Sequence, residues 1–320
     1  LGGRVGMETI EIALAANHAY FPGLLVTAVS MARATTRAVR FWILDGGLAA
    51  HDRALLRDKV GNERGAAALR FVPVGEEAFE GFPEWNGGNR LAYARLMLPE
   101  LLKAVETVIY CDVDFLWRAD VGELWDFVRG EQAAGRKNEI WACRDPWLLT
   151  LEREGMPEDY ICSGMMVMDL AAWRDGRVAA RCMDDIRRNA VPFADQSAIN
   201  RVVARKGFLP RKWGRFSREI ARRELAGAWA IHYAGGAPWR RNYVLALITP
   251  ADEAWYRFYG SLVGKSAARV KREFLGVKNY AMRRLAWILV HTAVLRTLFF
   301  AYLKASGRGG YVRYFKEERV

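Results

Sequence analysis

Val108-Ile109-Tyr110-Cys111-Asp112-Val113-Asp114-Phe115-Leu116-Trp117 is the stretch whose reading decides the fold. Its first half has the length and apolar character of a buried strand. Two carboxylates one residue apart follow, and apolar residues then resume. In an extended segment, residues i and i+2 point the same way. Asp112 and Asp114 therefore converge just past the strand's end. Two carboxylates that close repel each other, and each resists desolvation. A hard divalent cation, magnesium or manganese, removes both penalties. An ordinary acidic loop is the competing reading, because Asp-x-Asp alone is a weak signal.

Upstream, Ile10 to Ala15 reads as a short strand that runs into a polar break, Ala16-Asn17-His18-Ala19-Tyr20. Pro22 suits the first turn of a helix extending to about Ala34. Val39 to Leu44 is a second strand, closed by Asp45-Gly46-Gly47, with a charged helix from about Ala49 to Lys59 after it. Leu69 to Val74 is a third strand, and Leu91 to Leu102 reads as a helix bearing Arg95. Strands alternating with helices imply an α/β sheet. In such sheets ligands sit beyond the carboxyl ends of the strands. Asn17, Tyr20, Asp112 and Asp114 all fall at such ends.

Downstream, Val121 to Trp125 reads as a turn and short helix, and Arg129 to Asn138 as exposed polar chain. Ile140 to Cys143 is a strand. Tyr160 to Leu170 is an apolar, methionine-rich strand, since methionine commonly fills cores. Its Gly164 permits close approach of a ligand or backbone. Leu170 to Asn189 reads as a basic helix, and Asp195 to Ala204 as a helix with Asp195 either at its N-cap or in a functional role. Ala228 to Tyr233 is a strand that ends in Ala234-Gly235-Gly236-Ala237-Pro238-Trp239-Arg240-Arg241. A histidine there, His232, can supply a third metal ligand or be structural. The glycines let backbone N–H groups reach phosphate, and the two arginines can neutralise it.

Six blocks in this order resemble glycosyltransferase family 8, the retaining, metal-dependent GT-A enzymes. They are Ala15-Ala16-Asn17 with Tyr20; Tyr93-Ala94-Arg95-Leu96; Tyr110-Cys111-Asp112-Val113-Asp114 with Leu124-Trp125-Asp126; Gly164 with Trp173-Arg174; Asp195-Gln196 with Asn200; and His232-Tyr233-Ala234-Gly235 with Pro238-Trp239. The resemblance spans roughly Ile10 to Trp239. It implies a GT-A fold: an α/β, Rossmann-like, mixed but mostly parallel central sheet flanked by helices, here with a basic helical C-terminal appendage. It implies that Asp112, Asp114 and His232 hold Mn2+, with Mg2+ as the alternative, against the diphosphate of a UDP-sugar. Tyr20 would stack on uracil, while Asn17 and the backbone near Ala15 read its edge. Val113 and Gly164 would line the donor, and Gly235 would present an N–H to phosphate. Arg95 and Asp195 would position the sugar, and Gln196 would lie at the reactive face of the anomeric carbon, so Gln196 and Asp195 are the expected catalytic pair.

Three departures from the family's pattern stand out. Asn17 occupies a position that is commonly Asp, and Cys162-Ser163-Gly164 replaces Asn-Ala-Gly. Ala237 replaces a lysine that reaches the diphosphate, with Arg240 or Arg241 as the available substitutes. The expected reaction moves a hexose, galactose or glucose, to a saccharide hydroxyl with retained configuration, as in lipopolysaccharide or other cell-surface glycan synthesis. With no carboxylate adjoining Gln196 in the sequence except Asp195, and an amide oxygen weakly basic, same-face attack is favoured over a covalent intermediate. A catalytically weak, membrane-associated sugar-nucleotide-binding protein is the alternative. A metal-dependent phosphohydrolase needs more histidines than the four present.

Composition sets the remaining bounds. With 320 residues, 52% of them hydrophobic, the chain can bury a large core. Its four cysteines form no Cys-x-x-Cys pair, which fits a reducing compartment, and the opening residues carry no signal-peptide pattern. The net charge of +12 is uneven: from Lys265 to Val320 there are 13 Lys/Arg and 3 Glu, so the preceding 264 residues carry only +2. We therefore divide the chain into a transferase domain, 1–260, and a C-terminal region, 261–320. Leu285 to Leu303 approaches a spanning length, but Arg296 interrupts it at about 2.5–3.5 kcal/mol on insertion scales. Trp287, Phe299, Phe300, Tyr302, Tyr311, Tyr314 and Phe315 are interleaved with basic residues. The pattern reads as an interfacial anchor on an anionic membrane, with a helical subdomain packed on the body as the alternative. The expected location is cytoplasmic, peripheral on the inner face of the membrane. The expected partners are a UDP-sugar, a saccharide or glycolipid acceptor and that membrane surface, and no nucleic acid, since little of the basic surface lies in the body.

Overall fold

The apolar run Ile10–Ala16 forms β1, and it becomes the axis of the sheet because both its edges are paired. It lies parallel to β2 (Val39–Asp45) on one side and to β4 (Thr107–Cys111) on the other. Beyond β2 comes β3 (Ala67–Pro73), also parallel. Beyond β4 comes β7 (Ile161–Asp169), which is antiparallel to both β4 and β6 (Ile140–Arg144). Short β8 (Lys206–Phe208) closes the edge, parallel to β6. The order is β3-β2-β1-β4-β7-β6-β8, and β7 alone runs against the rest.

This is a mixed, mostly parallel α/β sheet, with helices on its faces. The computed structural model describes residues 8–63, 67–84, 90–145, 158–217, 220, 222–240, 249–291, 297–298, 300–302 and 305. Two compact units divide it, 1–214 and 215–320.

The reversal of β7 has a direct consequence. It brings the amino end of that strand to the edge where β1, β2, β4 and β6 present their carboxyl ends. There the Asp112 N–H donates to the Gly164 carbonyl at 2.7 Å. Sheet connections also diverge between β1 and β4, the place where an open α/β sheet leaves a crevice.

The Asp-x-Asp segment is held from behind by α1 (Phe21–Ala34). Thr27, fully buried, has its hydroxyl 2.9 Å from the Val113 carbonyl and 2.8 Å from the Phe115 carbonyl. The Phe115 N–H donates back to Thr27 Oγ1 at 3.3 Å. One turn on, Ser30 Oγ accepts the Trp117 N–H at 3.0 Å. Short β5 (Phe115–Trp117) is thereby fixed on two buried hydroxyls of one helix.

Several elements differ from expectation. Leu91 to Leu102 is a 3-10 turn, Leu91–Met97, followed by a single α-helical turn, α3 (Leu98–Leu101). Pro99, which lacks an N–H, suits the start of that turn. Helix α4 runs from Val121 to Ala133, well past Trp125. Asp120 caps it by accepting the Gly122 N–H at 2.7 Å, and Val121, Leu124, Trp125 and Val128 give it one buried face. Leu170 to Asn189 breaks into α5 (Leu170–Asp175) and α6 (Val178–Arg188), because Arg177 between them is left-handed at φ 49°. Helix α7 is Ala194–Val202, so Asp195 lies inside its first turn and Phe193 is the cap residue. The N-cap reading of Asp195 is thus replaced by a buried one.

In the unit from 215 to 320, β9 (Arg215–Phe216) and β10 (Ala230–His232) pair in parallel. Helix α8 (Pro250–Val263) starts in a capping box between Thr249 and Asp252. Helix α9 (Ala267–His291) follows, kinked at Gly276, whose φ of 75° suits glycine. Trp255 is the centre of this unit, stacked on Trp239 at 5.4 Å and Tyr259 at 5.2 Å. The Tyr233 hydroxyl donates to the Ala251 carbonyl at 2.6 Å, and the Tyr256 hydroxyl to the Pro238 carbonyl at 2.7 Å.

Thr27→Val keeps shape but strands the buried N–H and carbonyls of the Asp-x-Asp segment. It is expected to lower unfolding stability by about 1–3 kcal/mol, read by urea denaturation. A variant indistinguishable from wild type contradicts the anchoring role.

Candidate active site

Arg95 is the side chain around which the carboxyl edge is assembled. It is 3% exposed. Its Nη2 donates to Asp112 Oδ1 at 2.8 Å and its Nε lies 3.1 Å from Asp195 Oδ2. Nη1 reaches the Ser163 carbonyl, and the Ser163 Oγ at 3.1 Å. The guanidinium carbon sits 4.3 Å from the centroid of the Tyr110 ring. Burial works against the Arg95 charge, but Asp112 and Asp195 outweigh it and hold its pKa above the ordinary value. The irregular 3-10 turn suits this role, since it turns Arg95 inward while its neighbours Tyr93, Ala94 and Leu96 pack in the core.

Asp112 and Asp114 are both half-buried, while Cys111, Val113 and Phe115 are buried. This alternation leaves the two carboxylates on the accessible side of the segment, as the i, i+2 argument requires. Asp112 Oδ1 also accepts the Tyr110 hydroxyl at 2.8 Å. Val113 is fixed by the hydrogen bond to its carbonyl described above. Asp195, with only part of one guanidinium to balance it, has its carboxyl pushed up to about 6. Burial is the main cause, Arg95 opposes it and the nearby Asp112 adds to it, while a hydrogen bond with Ser163 lowers it again.

Gln196 is immobilised at both ends of its amide. Oε1 accepts the Ser163 N–H at 3.0 Å and Nε2 donates to Asp145 Oδ2 at 3.0 Å. The residue before Asp195, Ala194, has φ 48°, a left-handed conformation that costs a non-glycine residue roughly 1–2 kcal/mol. Asn200, on the same helix, exchanges hydrogen bonds with the backbone of Ile161 at 2.8 and 2.9 Å. It thereby sews α7 to the start of β7. Trp173 and Arg174 serve the scaffold: the indole donates to the Glu139 carbonyl at 3.0 Å and the guanidinium to carbonyls around the end of α3.

At the end of β1, Ala15 pairs with Leu44 and Asn17 leads into the 3-10 turn His18–Tyr20. Asn17 Oδ1 is buried and has no hydrogen-bond partner among the described residues. That acceptor is costly to leave unmet, and a ligand N–H satisfies it. Tyr20 is half-buried in the same turn.

In the other unit, His232 is 5% exposed, with its ring edge-on to Phe216 at 5.2 Å. Gly235 has φ 68°, which explains glycine there, and Arg240 is exposed, its N–H donating to the Ala237 carbonyl at 3.0 Å. Arg241 lies outside the described residues.

Three contributors escaped the sequence reading. Asp145 stands beside Gln196, which corrects the view that Asp195 is the only carboxylate adjoining it. Its signal was its position just past β6. Ser163 supplies the hydroxyl shared by Arg95 and Asp195, and Tyr110 steadies Asp112; the sequence motifs contain both residues but assign neither a role of its own. A cleft of about 520 Å3 at the opposite, amino edge is lined by Glu8, Glu11, Arg40, Trp42, Trp125 and Arg129. There Glu11 pairs with Arg40 and Trp42, and Glu8 with Trp125 and Arg129.

Residues 11–243 match the model of the glycosyl transferase family 8. The chain belongs to that family. A Haemophilus influenzae protein provisionally named a glycosyltransferase is 27% identical over 204 residues, 62% of this chain and 61% of its own length. General stress protein A of Bacillus subtilis is 23% identical over 179 residues, 52% of this chain and 59% of its own length. The chain thus spans about three fifths of these relatives. Among solved structures, the galactosyltransferase LgtC, crystallised with donor and acceptor sugar analogues, superposes with a TM-score of 0.62. It is 24% identical over 79% of this chain and 96% of its own. At that identity the likeness establishes the GT-A fold.

The raised pKa of Asp195 makes a signed prediction. Its protonated form is favoured by folding, so its contribution to stability is full below about pH 4 and is lost as pH rises through about 6. Raising the Asp195 carboxyl from the ordinary 3.8 to about 6 corresponds to about 3 kcal/mol at most. Wild type is therefore expected to gain stability relative to Asp195→Asn as pH falls from 7 to 4, in paired thermal melts. A difference independent of pH refutes the assignment.

Proposed function

We propose that this family 8 member transfers a hexose, galactose or glucose, from a UDP-sugar to a saccharide hydroxyl with retention, in assembly of a lipopolysaccharide or other cell-surface glycan. The observation that carries the reading is the cluster of buried Arg95 and Asp195 with half-buried Asp112, and Gln196 fixed beside it, at the carboxyl edge of the sheet. Asn17 Oδ1 accepts the uracil imide N–H, which explains why Asn serves where Asp is common. Tyr20 stacks on the base, and Ala15, Val113 and Gly164 border the donor.

Asp112 and Asp114 suit a hard divalent ion, with their carboxylates on one accessible side of an otherwise buried segment. In our reading they hold Mn2+ or Mg2+ together with His232. The bound ion supplies Lewis-acid neutralisation of the departing diphosphate. Gly235 offers an N–H to phosphate, and Arg240 takes the part of the cation absent at Ala237. Arg95 and Asp195 orient the hexose hydroxyls, with Ser163 fixing both.

Gln196 steadies the positive charge that develops at the anomeric carbon, through a carbonyl oriented before reaction. The acceptor attacks from the same face, and a diphosphate oxygen takes its proton. Asp145 favours a second reading, since a carboxylate 3.0 Å from the Gln196 amide is a candidate nucleophile for a covalent route.

Turnover of a panel of UDP-hexoses with manganese and saccharide acceptors tests both. Asp114→Ala is expected to abolish transfer. Gln196→Ala is expected to lose far more than threefold, the span of about 0.7 kcal/mol of barrier. A loss within threefold contradicts its role. Under same-face attack Asp145→Asn keeps measurable turnover and mass spectrometry finds no glycosyl adduct, whereas an adduct on Asp145 selects the covalent route. No turnover of any donor by wild type favours the alternative, a weak sugar-nucleotide-binding protein.

We further propose that region 261–320 docks on an anionic membrane surface at the inner, cytoplasmic face. Leu285, Leu298 and Tyr302 are 49%, 66% and 57% exposed, within a segment of strong positive charge. Such a combination suits interfacial binding. Among the described residues no helix is long and apolar enough to cross a membrane. Arg296, Phe299 and Tyr311, also part of that reading, lie outside the described residues. Co-sedimentation with vesicles of anionic lipid is expected, weakened at least fivefold by Leu298→Asp with Tyr302→Asp and absent with neutral vesicles. Equal sedimentation of the variant contradicts the anchor.

A further inference from the structure

Two of the four histidines in this chain meet one buried carboxylate, and none of the three has a part in the donor site proposed above. His18 lies in the turn after β1, and His51 and Asp52 lie in the first turn of α2 (Ala50–Gly61). Asp52 is 1% exposed at its side chain, whereas His18 and His51 are 61% and 76% exposed. The His18 Nδ1 is 2.6 Å from Asp52 Oδ2, and the His51 Nε2 is 3.3 Å from Asp52 Oδ1. The two imidazole rings are edge-on, 5.5 Å apart at 80°. One ligand atom from each of the three residues lies within 4.8 Å of the others.

Helix capping accounts for part of this. Asp52 Oδ2 also accepts the Ala49 N–H at 2.9 Å. That bond holds the carboxylate in place but leaves the convergence of two imidazoles on its two oxygens unexplained. Two imidazoles and one carboxylate form a donor set suited to zinc, cobalt or nickel. It contrasts with the hard oxygen pair Asp112 and Asp114. The exposed imidazoles leave an open approach from solvent, so water completes the coordination, and Asp52 provides a negative charge that is already fixed by the helix.

We propose that His18, His51 and Asp52 form a second divalent-metal site, selective for borderline ions such as Zn2+. The ion takes the place of the direct His18–Asp52 contact. It ties the turn after β1 to the start of α2, next to the backbone bonds from the His18 N–H to the Gly47 carbonyl at 3.3 Å and from the Gly46 N–H to the Ala16 carbonyl at 3.0 Å. The inference stands on these three residues alone and is independent of the donor assigned above.

The test is Zn2+ binding by the full-length protein in competition with a chromogenic chelator. It uses wild type, Asp114→Ala, and His18→Ala with His51→Ala, each also checked for folding by circular dichroism. Asp114→Ala, with the other candidate metal site disabled, is expected to retain one equivalent of Zn2+. Adding the two histidine substitutions to it is expected to weaken that binding at least tenfold. Zn2+ is also expected to raise the Tm of Asp114→Ala but not of the triple variant. Because both imidazoles are exposed, their loss leaves the core untouched. Unchanged Zn2+ binding in the triple variant, or no competition by Asp114→Ala, overturns the proposal.

Discussion

A single buried guanidinium organises the carboxyl edge of this sheet. Arg95 comes from a 3-10 turn, Asp112 from the end of β4, Ser163 from β7 and Asp195 from α7, four segments far apart in sequence. Left without Arg95, the buried Asp195 carboxylate would face the half-buried Asp112 carboxylate, and removing the partner of a buried charge typically costs about 3–5 kcal/mol. The electrostatic need of the carboxylates thus fixes where the segments meet. The imbalance is built in: one positive charge faces two negative ones, and burial leaves Asp195 with a pKa of about 6. A further cation on the Asp112 side, such as the metal proposed beside Asp112 and Asp114, would relieve that imbalance.

Sheet direction does the rest. Had β7 run parallel with its neighbours, its amino end, with Ser163 and Gly164, would lie at the opposite edge. Reversed, it delivers those residues to Arg95 and to the Asp112 backbone. Meanwhile α1 grips the far side of the Asp-x-Asp segment through Thr27 and Ser30. The backbone of the segment is thus held between a helix and an antiparallel strand. Gln196 is treated alike, its amide fixed between the Ser163 backbone and Asp145. Preorganised polar groups of this kind suit the stabilisation of developing charge.

Much of this was legible before any coordinates. β1, β2, β3 and α1 fall within two residues of their sequence-read bounds, because uniform apolar runs and a helix-starting proline leave little choice. The i, i+2 rule correctly put Asp112 and Asp114 on one side. Local rules failed where tertiary contacts overrode them. Asp195 has the residue type of a helix cap, yet Arg95 draws it into the core. Arg129 to Ala133 is polar enough for a loop, yet it continues α4 beyond the last buried residue, Val128, with Arg129 paired to Glu8. Strand direction is invisible in the composition of β7, so neither the part of Ser163 nor the pairing of Gln196 with Asp145 was within reach. His18 and His51, 33 residues apart, could not be joined without knowing that β1 and β2 are neighbours.

The central claim is that the edge built around Arg95, Asp112 and Asp114 is a metal-dependent nucleotide site. Calorimetric titration of UDP into the wild-type protein, with manganese and with chelator, addresses it most directly. The account predicts saturable one-to-one binding with manganese and at least tenfold weaker binding with chelator. Equal affinity under the two conditions, or no binding under either, contradicts it.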